Sequence, residues 1–183
     1  MDQEQVAANR GAISPAAYPN FGKQLSTLFR KDPSIQVAFV DFGGWDTHIR
    51  QGNEKGQLAG HLMPLANGLA DLVKGLGALY KDTNIIVMSE FGRTAKENGN
   101  GGTDHGHGNV MWLLGGGTPG GKVYGRFAGL AQNNLYEARD LPANIDFRTV
   151  ISAVLSQQMN IARTDLAQVF PNFQPGGNPF VQA

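Results

Sequence analysis

The chain has no cysteine among its 183 residues. That excludes disulfides and every thiolate metal site, so any bound metal must be held by nitrogen and oxygen. It is compatible with an oxidising compartment without requiring one. Net charge is missing too: 15 Lys and Arg balance 15 Asp and Glu, which argues against a nucleic-acid partner or an anionic membrane surface. No apolar run approaches the ~20 residues that cross a bilayer, so no membrane partner is expected. The opening Met1-Asp2-Gln3-Glu4-Gln5 is acidic and polar, unlike a signal peptide. Glycine is plentiful instead, 25 residues clustered in loops, and this implies tight turns and close backbone approach rather than a repeat.

The length suits one domain with its own core. Residues 1–18 lack apolar periodicity and are expected to form a mobile N-terminal segment; residues 171–183, rich in Pro, Gly and Asn, read as an irregular tail. Between them, 19–170 read as one α/β domain carrying a metal site. Asn20 is a candidate cap for a helix to about Lys31, with Phe21, Leu25, Leu28 and Phe29 on one face. Asp32-Pro33 ends it. Residues 35–40, Ile-Gln-Val-Ala-Phe-Val, then read as a buried strand.

Leu58, Leu62, Leu65, Leu69, Leu72, Leu76 and Leu79 alternate spacings of four and three, the stripe of a long helix. Pro64 requires that this helix either start near Leu62 or kink. Residues 84–88 read as a second buried strand. Strand, helix, strand predicts a parallel pair with a right-handed crossover. Residues 110–114 form a third strand, reached without a helix and therefore expected to run antiparallel. Pro119-Gly120-Gly121 is a turn signal before a short edge strand at 122–124. Asp146 caps a helix over 147–159, and 165–170 add a turn. The expected fold class is α/β: a mainly parallel central sheet, flanking helices and one antiparallel strand.

Ligand-type residues concentrate in three clusters. They are Gly43-Gly44-Trp45-Asp46-Thr47-His48, Ser89-Glu90-Phe91-Gly92-Arg93 and Thr103-Asp104-His105-Gly106-His107-Gly108. Asp46 and His48 point the same way in an extended loop and can reach one ion. His105 and His107 can share a face while Asp104 serves a neighbouring site, as in a two-metal centre with ions ~4 Å apart. The expected antiparallel strand brings them to the sheet edge where Asp46, His48 and Glu90 leave their strands, the usual ligand edge of α/β folds. The plain alternatives are a carboxylate capping a turn, an exposed imidazole and a flexible glycine loop. Glu90 is either a ligand or the partner of Arg93, and Arg93 either pairs with it or grips a phosphate or sulfate oxygen bidentately. Asp41 reads as the end of a strand and His61 as a surface histidine. Thr47, Ser89 and Thr103 are hydroxyls near these clusters. None is singled out as nucleophile, since metal-activated hydroxide is the more economical one.

Together the three clusters, with Gly120-Gly121-Lys122-Val123-Tyr124-Gly125 and Asp146-Phe147-Arg148, resemble a bacterial family catalogued as domain of unknown function 1501. The resemblance spans about Phe21 to Leu155. That family is in turn similar to the alkaline phosphatase and sulfatase superfamily, which implies an α/β sandwich with metal-assisted hydrolysis of phosphate or sulfate esters. Asp46 and His48 match one ligand pair of the superfamily. Asp104-His105 matches the next by residue type, Ser89-Glu90-Phe91-Gly92 by position after a strand; on the second alignment Asp104, His105 or His107 takes the later histidine role. The resemblance implies an amino-terminal half, with a metal-binding Asp and a Ser or Thr nucleophile, that is expected to be missing here. An exported, periplasmic or secreted location is implied for the family.

The expected ligands are therefore Asp46, His48, Glu90, Asp104, His105 and His107, holding one or two zinc ions with magnesium at a carboxylate-rich position. Arg93 and Glu90 are the candidate catalytic groups, and a small-molecule phosphate or sulfate ester is the expected partner. The alternative is a noncatalytic metal-binding or interaction domain. A third alternative is a shortened chain that exposes an apolar sheet edge and forms a homo-oligomer to cover it.

Overall fold

The computed structural model describes residues 12–174, 176, 177, 179 and 180. They form two compact units, Met1–Ala78 with Glu97–Asp104, and Leu79–Lys96 with His105–Ala183.

The first unit is a helix pair. Helix α1, Tyr18–Lys31, buries Tyr18, Phe21, Gly22 and Ser26, one face at helical spacing. Asn20 lies inside this helix, not at its cap, which is Ala17. Helix α2, Gln57–Leu76, runs through Pro64 and buries Leu65, Leu69, Leu72 and Leu76 of the apolar stripe. Each buried leucine contributes about 1.5–3 kcal/mol relative to exposure. The helices pack at backbone distance: a Cβ on Gly22 would stand 2.0 Å from the Gly68 carbonyl oxygen. Lys23 pairs with Asp71 at 3.5 Å, and the Arg30 guanidinium donates to the Gly75 carbonyl.

The second unit holds two small antiparallel ladders. Strands β1, Asn84–Val87, and β4, Trp112–Gly115, pair with Asn84 opposite Gly115 and Val87 opposite Trp112. Strands β2, Gly92–Arg93, and β3, His105–Gly106, pair with Arg93 opposite His105. Helix α3, Phe147–Gln158, starts at Asp146, whose side chain accepts from the Arg148 amide. Gln158 fastens its end to β1: its Nε2 donates to Asp82 O at 2.6 Å and its Oε1 accepts from Asn84 at 3.0 Å. A short helix α4, Leu166–Val169, completes the unit and buries Leu166.

This overturns the α/β expectation. Among the described residues regular structure is mostly helical, and there is no parallel central sheet. The reason lies in residues 35–40. They join no ladder, and Val37 is 70% and Phe39 90% exposed. A β-branched apolar run has strand propensity, but strands are stabilised by cross-strand neighbours, and without them the run stays irregular. The parallel pairing that exists is a single bridge, Ile13 with Phe42. Residues 122–124 form no edge strand, and Val123 is exposed. The third run does pair antiparallel, as β4. Of the segment 1–18, residues 1–11 lie outside the described residues, Pro15–Ala17 form a 3-10 turn and Tyr18 is buried. No helix among the described residues is long and apolar enough to cross a membrane.

Candidate functional site

In the first unit an aromatic cluster anchors the first ligand loop. Phe42 meets Tyr18 edge-on at 4.9 Å between centroids and Phe21 at 4.8 Å. Trp45 stacks on Tyr18 at 6.0 Å and meets His61 edge-on at 5.7 Å. The Tyr18 hydroxyl donates to the Gly43 carbonyl. Burial pushes this phenol up to about 12, a Trp45 hydrogen bond opposes the rise, and the Asp41 charge adds to it, so the hydroxyl remains a donor at every ordinary pH. The chain leaves the cluster at Trp45 and delivers Asp46 and His48 to the surface.

There His48 sits between two carboxylates. Its Nε2 is 2.9 Å from Asp46 Oδ1 and its Nδ1 is 3.1 Å from Asp104 Oδ1. All three side chains are roughly half exposed. Asp104 comes from a second loop, 97–104, which is zipped to the first: Arg50 N donates to Asn100 O at 3.0 Å and Gln51 N to Gly101 O at 2.7 Å. Two side-chain amides lock the zipper. Gln51 Oε1 accepts from both Thr47 Oγ1 at 2.9 Å and Thr103 Oγ1 at 2.8 Å. Asn98 Nδ2 donates to His48 O at 3.0 Å and to Asp104 Oδ1 at 2.9 Å. Thr47, weighed as a nucleophile, is buried and engaged in this lock.

The second unit holds the other ligand-type residues differently. His105 stacks flat on Phe91 with ring centroids 4.4 Å apart, and the Arg93 guanidinium lies 4.7 Å from the centroid of the same ring. His107 stacks on Tyr136 at 4.1 Å. Asn109 Nδ2 ties the flanking chain down by donating to Ser89 O at 3.0 Å and Phe91 O at 2.8 Å. Glu90 is exposed and no ion pair to Arg93 is formed, so that alternative for the two residues is not realised.

Asp46 and Asp104 are thus brought to the two ring nitrogens of His48, and His105 and His107 each stack on an aromatic ring. His61 is no surface residue: it is half-buried against Trp45, and its Nδ1 is buried without a hydrogen-bond partner. Asp41 is exposed, and its carbonyl accepts from Ile13 N at 2.9 Å. Sequence reasoning passed over Gln51 and Asn98. The repeated Asn-Gly of Asn98-Gly99-Asn100-Gly101 signalled a turn in which the asparagine side chain bonds the backbone ahead of it, and that is how Asn98 begins its role.

The chain belongs to the family described as Protein of unknown function (DUF1501), which it matches over residues 2–170. No curated protein and no solved structure matches it.

Proposed function

We propose, taking that membership as the starting point, that the protein is a divalent-metal-dependent hydrolase of phosphate or sulfate esters in which Asp46 and His48 Nε2 hold an ion and Asp104, at the other ring nitrogen, orients the imidazole. The observation that carries the reading is the imidazole of His48 set between Asp46 Oδ1 and Asp104 Oδ1. A neutral ring donates from one nitrogen and presents a lone pair at the other. With the ring proton on Nδ1 toward Asp104, the Nε2 lone pair would face Asp46 Oδ1, and a cation there would turn that contact from repulsive to attractive. A ring nitrogen and a carboxylate oxygen are donors that zinc accepts, with its other positions left for further ligands, water or substrate. When bound, such an ion supplies Lewis acidity at an ester oxygen and acidifies water.

The chain's own part is to present these groups at an open surface on two loops fixed against each other. Kinship with the alkaline phosphatase and sulfatase superfamily belongs to the same proposal and rests on the motifs around Asp46 and Asp104. Glu90, His105 and His107 enter it as ligands by residue type and motif, and Arg93 as the guanidinium for an ester's anionic oxygens. A second reading, a noncatalytic cation site that fastens two loops, is favoured by one observation. The loops that carry Asp46, His48 and Asp104 are zipped together by Arg50 N to Asn100 O and Gln51 N to Gly101 O and by the Gln51 side chain.

The test is metal content of the purified protein together with turnover of an aryl phosphate and an aryl sulfate. Bound zinc, with turnover lost on chelation and restored by zinc, is the expected result, and His48→Ala should lose both. Bound zinc without turnover of either ester moves the assignment to the second reading. No uptake of zinc, manganese or magnesium overturns both.

A further inference from the structure

We infer that Asn98 is a positioning residue for this site: its side-chain amide fixes the Asp104 carboxylate and holds it against His48. The inference rests on the reading of His48 as a metal ligand that Asp104 orients through Nδ1. An asparagine amide has two N–H donors and a carbonyl oxygen with two lone pairs. At Asn98 all four are used. Nδ2 donates to Asp104 Oδ1 and to the His48 carbonyl, while Oδ1 accepts from Asn100 N at 2.9 Å and Gly102 N at 3.1 Å. The two backbone N–H groups need an acceptor and the two oxygens need donors, so the orientation of the amide is fixed by its partners. The main chain of Asn98 closes the same loop, its N–H donating to Gly102 O at 2.8 Å.

The consequence is geometric. Asp104 Oδ1 receives Asn98 from one side and faces His48 Nδ1 on the other. The same Nδ2 reaches the carbonyl of His48 itself, so one amide sets both the carboxylate and the backbone that carries the imidazole. Groups that orient ligands in this way set metal affinity without touching the ion, and losing one typically costs 10- to 100-fold. Gln51 binds the same two loops through Thr47 and Thr103 hydroxyls. It contacts none of the Asp46, His48 and Asp104 side chains in these bonds. Gln51 is therefore a fastener of the loops, and Asn98 the residue that aims the carboxylate orienting His48.

The experiment is zinc affinity of the full chain by chelator competition, for wild type, Asn98→Ala, Asp104→Ala and the double variant, with thermal melting of each zinc-free protein alongside. Asn98→Ala is expected to weaken zinc binding about 10- to 100-fold. In the Asp104→Ala background the same change should have no further effect on affinity, since the carboxylate it aims is gone. A purely structural role would lower the melting temperature and add a second loss of affinity in the double variant, and that overturns the inference. Asn98→Ser keeps an acceptor oxygen for the loop amides and serves if Asn98→Ala does not fold; it should show the same non-additivity. Wild-type uptake with unchanged affinity in the Asn98 variants overturns the positioning role alone. No uptake by wild type overturns the metal reading and the positioning role with it.

Discussion

Loop 45–51 and strand β3 with its continuation each carry ligand-type residues two positions apart, and they use them in opposite ways. In the first unit, Asp46 and His48 meet each other, and Asp104 joins them, in a network of carboxylate, imidazole and amide. In the second, His105 and His107 lie flat on Phe91 and Tyr136. Spacing fixes which way side chains can point; it does not choose what they meet. The loop curls so that His48 N bonds Asp46 O at 3.2 Å, folding the two side chains toward one point. The ladder keeps the chain at β3 extended opposite Arg93, and the two rings stack on aromatic neighbours.

The strongest way to break the comparison is to force each pair of segments apart. Gly102→Ala puts a Cβ 2.2 Å from the carbonyl carbon and oxygen of His48 and 2.6 Å from Ile49 N, all main-chain atoms that cannot swing aside. The expected loss is about 2–3 kcal/mol of unfolding free energy, the upper part of the overpacking range. It should come with faster hydrogen exchange of the Arg50 and Gln51 amides, which cross between the loops. Gly106→Ala is the matched change in the other region, with Cβ 2.4 Å from Arg93 C and O. A two-residue ladder can shift more easily, so about 1–2 kcal/mol is expected there. Equal effects on the exchange of Arg50 and Gln51 from both variants would mean that the two regions are not independent.

A weaker perturbation sharpens the contrast. Tyr136→Leu keeps an apolar side chain but removes the ring under His107. A stacked pair is worth about 0.5–1.5 kcal/mol beyond area burial, so a loss near 1 kcal/mol is expected by urea titration. The His107 ring protons should move downfield as the ring current disappears, while those of His48 stay in place. Unmoved His107 resonances would show that the stack is not populated in solution.

The same contrast explains what could be read in advance. The leucine stripe of α2 was legible because burial at helical period needs only the helix itself: Leu65, Leu69, Leu72 and Leu76 are all buried. The cap at Asp146 was legible because a cap is a local bond. Residues 35–40 were not, because a strand depends on a partner elsewhere in the chain and the run carries no mark of whether one exists. His61 was misjudged because its position off the leucine stripe says nothing about Trp45, which covers it. At the candidate site the ligand-type residues stood out by type, and Asp46, His48 and Asp104 do meet. Asn98 and Gln51 were hidden among ordinary loop amides, since their importance lies in bonds to residues distant in sequence.

The smallest effect concerns charge alone, at the start of α3. The Asp146 carboxyl is held below the usual carboxylate range, chiefly by the hydrogen bond from the Arg148 side chain, against a desolvation that raises it and with the Arg148 amide and charge adding to the fall. A carboxyl lowered by folding stabilises the protein above its unfolded value, about 4, and loses that contribution as pH falls through its lower folded value. Arg148 is raised by the same bond, but it stays protonated in both states over this range and adds no pH dependence there. Asp146→Asn leaves an acceptor for the Arg148 amide and removes the charge. Wild type should therefore exceed the variant by a constant margin between about pH 5 and 8, and the margin should shrink below about pH 4. Because the pair is about a third exposed and screened by solvent, the margin is on the order of a degree or two in melting temperature. Urea midpoints of both proteins across pH 3–8 measure it. A margin that persists undiminished at the acid end would assign the Asp146 contribution to the cap geometry rather than to its charge.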